Sequence, residues 1–300
     1  MSMHSSETYS QTRGKSRSRF RFYRPWPRGS GKLIRKIVTL FPQFRFVRFQ
    51  IYDKEICIDH LDQASLGFFL TGTIKHEAAS INLIADCLMS KPGSVFFDVG
   101  ANVGFYTLFF SQKQYRVSAI YAFEPNPSLA VNLIEATNQN TSPKIRVFQA
   151  GLGEGRSHLV LYFDDNSSSD TATFRQQSIK LGKKIANVEV FSLDYLITSG
   201  EAPPPDVIKL DVEGFEYYII RGYKLIEKHR PLIVMEWVEE FMQSIGVTFQ
   251  DLMAQFSDGW VFLDIVSGEK YKLQRIQRIP QSRDIVLLHE DSKFAYLIKS

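Results

Sequence analysis

Val95-Phe-Phe-Asp-Val-Gly-Ala-Asn-Val-Gly-Phe-Tyr-Thr107 is the stretch whose reading decides the fold. An apolar run leads into Asp98, Gly100 and Gly104 follow, and then a helix-like pattern begins. That order describes a buried parallel strand ending at Asp98 and a sharp turn into a helix. Glycine at position 100 lets the backbone approach a ligand that a side chain would block. In open α/β sheets ligands bind beyond the carboxyl ends of the strands, and this is such a corner. The spacing is Gly-x-x-x-Gly, not the Gly-x-Gly-x-x-Gly of a dinucleotide pyrophosphate loop. An acid before a loop with fewer glycines suits a cationic cofactor with no phosphate, such as S-adenosylmethionine.

Outward from this loop, strands and helices alternate. Residues 75–90 carry apolar groups at helical spacing and end at Lys91-Pro92-Gly93. Further strands are expected over 119–124, 145–149, 205–211 and 232–237, with helices over 103–113, after Asn126-Pro127-Ser128, over 215–228 and over 248–257. Residues 259–264 and 284–288 complete the sheet without a helix pattern between them, which implies an antiparallel pair. The expected class is therefore α/β: a Rossmann-like class I methyltransferase sheet of five parallel strands plus an antiparallel terminal pair, with an N-terminal extension. A nicotinamide oxidoreductase on a related sheet is the rival reading, but would normally have a helix before its last strand.

Three units are expected. Residues 1–36 hold ten Lys or Arg and one acid, Glu7, a net +9 against +4 for the whole chain, so the remainder carries −5. Ser, Gly, Pro and Arg dominate up to Ser30, which argues for a basic disordered tail. Its plainer reading is a solvated leader. Its sharper reading is a weak contact of residues 13–36 with anionic membrane or polyanion, helped by Phe20, Phe22, Tyr23 and Trp26. An obligate nucleic-acid partner is not expected, although a nucleic-acid-binding module using the tail is the rival of a different class. Residues 37–93 are read as strands (44–52 and 55–59, a hairpin across Asp53-Lys54) and a helix capping the domain. Residues 94–300 are read as the catalytic domain, with an insertion at 152–204 whose polar loop 164–174 suits contacts to a small-molecule or glycan substrate. Cys57 and Cys87 lack metal-ligand spacing and are expected as buried thiols in a reducing, cytoplasmic setting. No apolar run approaches transmembrane length, and the N-terminus lacks the apolar core of a secretory signal.

The chemistry-bearing residues lie at strand ends. Glu124 closes the second strand, where a carboxylate can accept both hydroxyls of a ribose, or serve as a helix N-terminal acid. Asp98 can order the loop amides or attract an ammonium group. Lys209-Leu-Asp-Val-Glu-Gly-Phe-Glu216 puts four charges at the end of a buried strand, which is costly unless they pair or meet a ligand. Alternation sets Lys209, Asp211 and Glu213 on one face.

Phe97-Asp-Val-Gly-Ala-Asn-Val-Gly-Phe-Tyr-Thr107, Ala122-Phe-Glu-Pro-Asn126, Ile208-Lys-Leu-Asp-Val-Glu-Gly-Phe-Glu216 and Arg230-Pro-Leu-Ile233 with Glu236 occur in that order. Together they resemble the FkbM family of methyltransferases over about residues 95–240. The resemblance implies a Rossmann-like fold, S-adenosylmethionine as donor and O-methylation of a hydroxyl on a sugar, glycolipid or secondary metabolite. By position, Gly100, Asn102 and Gly104 match the family's cofactor loop, Glu124 its ribose acid, and Asp211 and Glu213 its strand-four acids; Asp98, Asn126 and Asp211, placed beside the loop and the ribose acid, complete the expected cofactor-binding set. Asp211 and Glu213, as the strand-four acids, are the candidate catalytic residues. Position 215 is Phe where the family often has His, so a base must come from elsewhere: His76, Glu213, Glu236 or His229. No metal is expected, because no His/Asp cluster has ligand spacing, although carboxylates from separate strands could still hold Mg²⁺.

Overall fold

The computed structural model describes residues 30–41, 46–51, 54–59, 77–138, 142–163, 174, 183–265, 269–273 and 284–299. His76 and the loop 164–173 lie outside them. The chain opens with helix α1 (Ser30–Leu40) and a hairpin, β1 (Phe46–Ile51) and β2 (Lys54–Asp59). Helix α2 (Ala78–Ser90) leads into β3 (Val95–Val99), α3 (Phe105–Phe110), β4 (Ala119–Phe123), α4 (Pro127–Thr137) and β5 (Lys144–Phe148). Three strands follow, β6 (Gly151–Leu152), β7 (Ser157–Phe163) and β8 (Lys183–Phe191), then α5 (Leu193–Thr198) and β9 (Val207–Leu210). Helices α6 (Glu216–Arg221) and α7 (Ile226–His229) lead to β10 (Leu232–Glu236), and α8 (Glu239–Ser244) and α9 (Phe249–Met253) to β11 (Trp260–Leu263). β12 (Lys270–Lys272), β13 (Asp284–His289) and α10 (Tyr296–Lys299) complete the chain.

Eight strands form the main sheet, in the order β12-β11-β13-β10-β9-β3-β4-β5. The five from β10 to β5 are parallel, and β13 enters antiparallel between β10 and β11. This is the Rossmann-like class I methyltransferase sheet. Its central strands are buried on both faces and therefore read as unbroken apolar runs. Phe96 packs toward α2, α3 and α4, and Phe97 toward α5, α6 and α9. Both rings are fully buried, each contributing about 1.5–3 kcal/mol of transfer free energy. The order reverses between β3 and β9, and the loops after both strands lie at that switch.

Several details depart from the sequence reading. Helix α1 begins at Ser30, so residues 30–36 of the expected disordered tail are helical. The hairpin pairs Ile51 with Lys54, which puts Lys54 in a strand and not in the turn; the backbone of β2 runs beside α4. The helix expected over 215–228 is broken into α6 and α7. The break buries Tyr223 completely and brings its hydroxyl 2.8 Å from His229 Nδ1. Edge strand β12 and helices α5, α8 and α10 had no expectation. In the insertion, β6 runs parallel and β7 antiparallel to β8 in a separate three-stranded sheet. As expected, by contrast, Cys87 is free and fully buried, and burial pushes its thiol up to about 12.

The register also lines up the strand ends. Asp284 pairs with Glu236, Met235 with Leu210, Leu210 with Val99, and Val99 with Phe123. The ladder continues one residue further, through Asp211 N–H to Val99 O and Gly100 N–H to Phe123 O, both 3.0 Å. Glu124, Gly100, Asp211, Glu236 and Asp284 therefore form one cross-strand row on the rim. Asp98 and Lys209 pair one step below, on the same face.

Candidate active site

The turn after β3 is built from left-handed backbone: Gly100 has φ +81°, Asn102 +51° and Gly104 +87°. The amides of Gly100 and Ala101 both donate to Phe123 O, at 3.0 Å. A Cβ on Gly100 would lie 1.8 Å from Asp211 O, so this loop and the end of β9 are in backbone contact. A Cβ on Gly104 would lie 2.2 Å from Leu133 Cδ1 of α4. Asp98 is buried beneath the turn, where its Oδ2 accepts from the Thr107 amide (2.9 Å) and hydroxyl (2.6 Å). Burial raises its pKa, against Lys209 and Thr107, which favour the charged form. Its Oδ1, and the Oδ1 of Asn102, are buried without a hydrogen-bond partner among the described residues.

Glu124 is held on both sides. Its Oε2 accepts from the Asn102 amide at 2.7 Å and its Oε1 from the Asn126 amide at 2.8 Å. Burial pushes its pKa up to about 7, with the two amide bonds pulling the other way. Each oxygen keeps acceptor capacity for a further donor. Asn126 acts through this carboxylate: its amide orients Glu124, while its side chain caps α4 by accepting from the Ser128 amide at 3.1 Å.

At the end of β9, Lys209 Nζ donates to Asp211 Oδ2 at 2.7 Å and lies 4.7 Å from the centroid of the Tyr106 ring. Burial opposes the Lys209 charge, but Asp211, Glu77 and Asp98 outweigh it and raise the pKa. Past Asp211 the chain turns through Glu213 (φ +54°) and Gly214 (φ +93°). Buried Glu216 closes this turn by accepting from the Val212 and Gly214 amides at 2.9 and 3.3 Å. Burial pushes its own pKa up to about 7.

Asp211, Glu213 and Glu236 each bring one carboxylate oxygen within 4.8 Å of the others. Burial raises the Glu236 pKa to about 8, helped by Asp211, Glu213 and Glu216 and opposed by Lys209. Such a cluster calls for positive charge, which a proton, an organic cation or a divalent metal ion could supply. Asp284, next in the row, accepts from the Ser80 hydroxyl of α2. Its place beside Glu236 was not visible in sequence, because only the antiparallel register of β13 creates it. His229 is removed from the site: it precedes β10 and so sits at the opposite rim, against Tyr223. Phe215 packs on Phe174 of the insertion, with centroids 5.1 Å apart, and on Tyr218, at 4.7 Å.

A family model described as the Methyltransferase FkbM domain matches residues 98–261. The chain belongs to the FkbM methyltransferase family. It is similar to the hexuronic acid methyltransferase AglP of Haloferax volcanii, 30% identical over 133 residues, covering 44% of this chain and 51% of that protein. The match thus spans about half the length of AglP. Methyltransferase 1 of Beauveria bassiana is 29% identical over 177 residues, 53% of this chain and 69% of that protein. Among solved structures, an FkbM methyltransferase from Methylobacillus flagellatus KT has 18% identity, covering 66% of this chain and 43% of that one, with a TM-score of 0.40. Glycine loop, Glu124, Lys209–Glu216 and Glu236 all lie inside the FkbM match. Asp284 and β13 lie beyond it.

The backbone contact at Gly100 yields a direct test. Gly100→Ala combines a positive φ with a clash against a carbonyl oxygen, and should destabilise the protein by more than about 1 kcal/mol. Thermal unfolding checks this; an unchanged melting temperature would mean that the loop is not locked to Asp211.

Proposed function

We propose that this FkbM protein binds S-adenosylmethionine at the Gly100–Gly104 corner and methylates a hydroxyl group of a sugar, glycolipid or secondary metabolite. The observation that carries the reading is the carboxylate row on the rim, Glu124, Asp211, Glu236 and Asp284, interrupted only by Gly100. A ligand that brings positive charge and ribose hydroxyls suits such a row. The orphaned Oδ1 atoms of Asp98 and Asn102 point the same way, since a buried acceptor without a donor is costly until a ligand supplies one. The glycine spacing and the antiparallel β13 weigh against a nicotinamide cofactor. The hexuronic acid methyltransferase among its relatives supports a glycan acceptor.

When bound, S-adenosylmethionine supplies an electrophilic methyl group on a sulfonium. Glu124, oriented by two amides, accepts from the ribose hydroxyls. Asp211, fixed by Lys209, sets negative charge beside the cationic part, where preorganised charge acts without reorganising. Glu236 stands next to Asp211 in the row and takes the proton of the acceptor hydroxyl. A base works best with a pKa near the operating pH, and burial, helped by Asp211, Glu213 and Glu216, brings Glu236 there. Glu213 borders the same cluster from the loop.

Isothermal titration distinguishes the cofactors: S-adenosylhomocysteine should bind and NAD should not, and binding of NAD alone would overturn the reading. The base assignment carries a pH signature. Glu236 acts when ionised, so the single-turnover methylation rate should rise with pH through about 8 and level off above it. Glu236→Gln should remove that rise and lower the rate by about 10²-fold or more. Neutral and uronic acid glycosides are suitable acceptors for the assay. A variant with the wild-type profile would shift the base to another group.

A further inference from the structure

Helix α1 carries a stripe of outward apolar side chains. Leu33 is 60% exposed, Ile37 40% and Leu40 65%. Steps of four and three residues set them on one side of a helix. Val38, on another side, is buried at 2%. Lys32 and Lys36 are exposed on the same helix. Arg13, Lys15, Arg17, Arg19, Arg21, Arg24 and Arg28 precede it, and Glu7 is the one acid in residues 1–36. Elsewhere, the exposed large side chains Val131, Tyr195 and Tyr296 stand singly on three separate helices, as is ordinary for a protein surface. Among the described residues no helix is long and apolar enough to cross a membrane.

We propose that α1 docks this protein on an anionic lipid surface. The helix lies in the headgroup plane, with Leu33, Ile37 and Leu40 in the acyl boundary and the basic residues against lipid phosphates and carboxylates. Amphipathic helices bind this way through apolar area and electrostatic attraction together, and neither suffices alone at high affinity. Polynucleotide would use the charges and leave the apolar stripe in water. A second copy would cover the stripe but bring like charges together. The docking concerns a surface remote in sequence from the cofactor loop and does not depend on the methyl-transfer reading.

Sedimentation of the full-length chain with vesicles tests it. Binding is expected to vesicles of phosphatidylcholine mixed with phosphatidylserine and not to phosphatidylcholine alone. Replacing the stripe (Leu33→Ser, Ile37→Ser and Leu40→Ser together) should lower partition onto anionic vesicles by about tenfold or more. The melting temperature should hold, because these side chains are exposed. Lys32→Gln with Lys36→Gln should also weaken binding, and most at low salt. Three results would overturn the proposal: no binding to anionic vesicles, equal binding by the stripe variant, or a wild-type dimer that the stripe variant converts to monomer.

Discussion

A buried lysine underlies the site. Lys209 is the one Lys or Arg among the buried described residues, and it bonds Asp211 beneath a rim of carboxylates. Without it, Asp98, Asp211 and Glu77 would face one another in a poorly hydrated space. Asp211 is part-exposed, so removing one partner costs less than the roughly 3–5 kcal/mol of a fully buried pair, but it still leaves the other charge uncompensated. The pair therefore supports the folded strand end, and Lys209 also favours the charged forms of Asp98 and Glu236. The contact of Gly100 with the Asp211 carbonyl fixes the loop to the same strand end, so geometry and charge are set at one point.

The row follows from the strand order. Parallel strands end at one rim, and ligands of such sheets bind at the switch in strand order, here between β3 and β9. Each acid then receives a different environment. Two amides orient Glu124, Lys209 fixes Asp211, the Thr107 amide and hydroxyl hold Asp98, and Glu216 is spent on the turn after Asp211. Burial raises the Glu236 pKa, and like charges from the loop after β9 and the start of α6 add to it. Carboxylates of one chemical type thereby stand in different environments, and environment sets protonation.

Much of this was legible in the chain. Apolar runs with abrupt ends located the parallel strands, because strands covered on both faces tolerate few polar residues. The glycine loop and Glu124 could be read locally, since the turn conformation and strand end are short-range properties. The cluster of Asp211 with Glu236 could not, because it depends on the register of two strands separated by α6 and α7. Asp284 depended on an antiparallel register as well, reached across a stretch with no regular pattern. Helix α1 was hidden by composition: basic residues and a preceding Ser/Gly/Pro-rich stretch masked an apolar spacing of four and three. The break after Arg221 falls at Gly222, where a side chain would meet the Gly153 carbonyl, a contact that no local pattern shows.

If the rim exists to hold a nucleoside bearing positive charge, the carboxylate most firmly oriented should carry much of the affinity. The direct measurement is the calorimetric affinity of S-adenosylhomocysteine for Glu124→Ala beside the wild-type protein, with melting temperatures for both. Hydrogen bonds to a charged group contribute about 1.5–3 kcal/mol, so affinity should fall by about ten- to a hundredfold while the fold persists. Unchanged affinity in a folded variant would contradict the account.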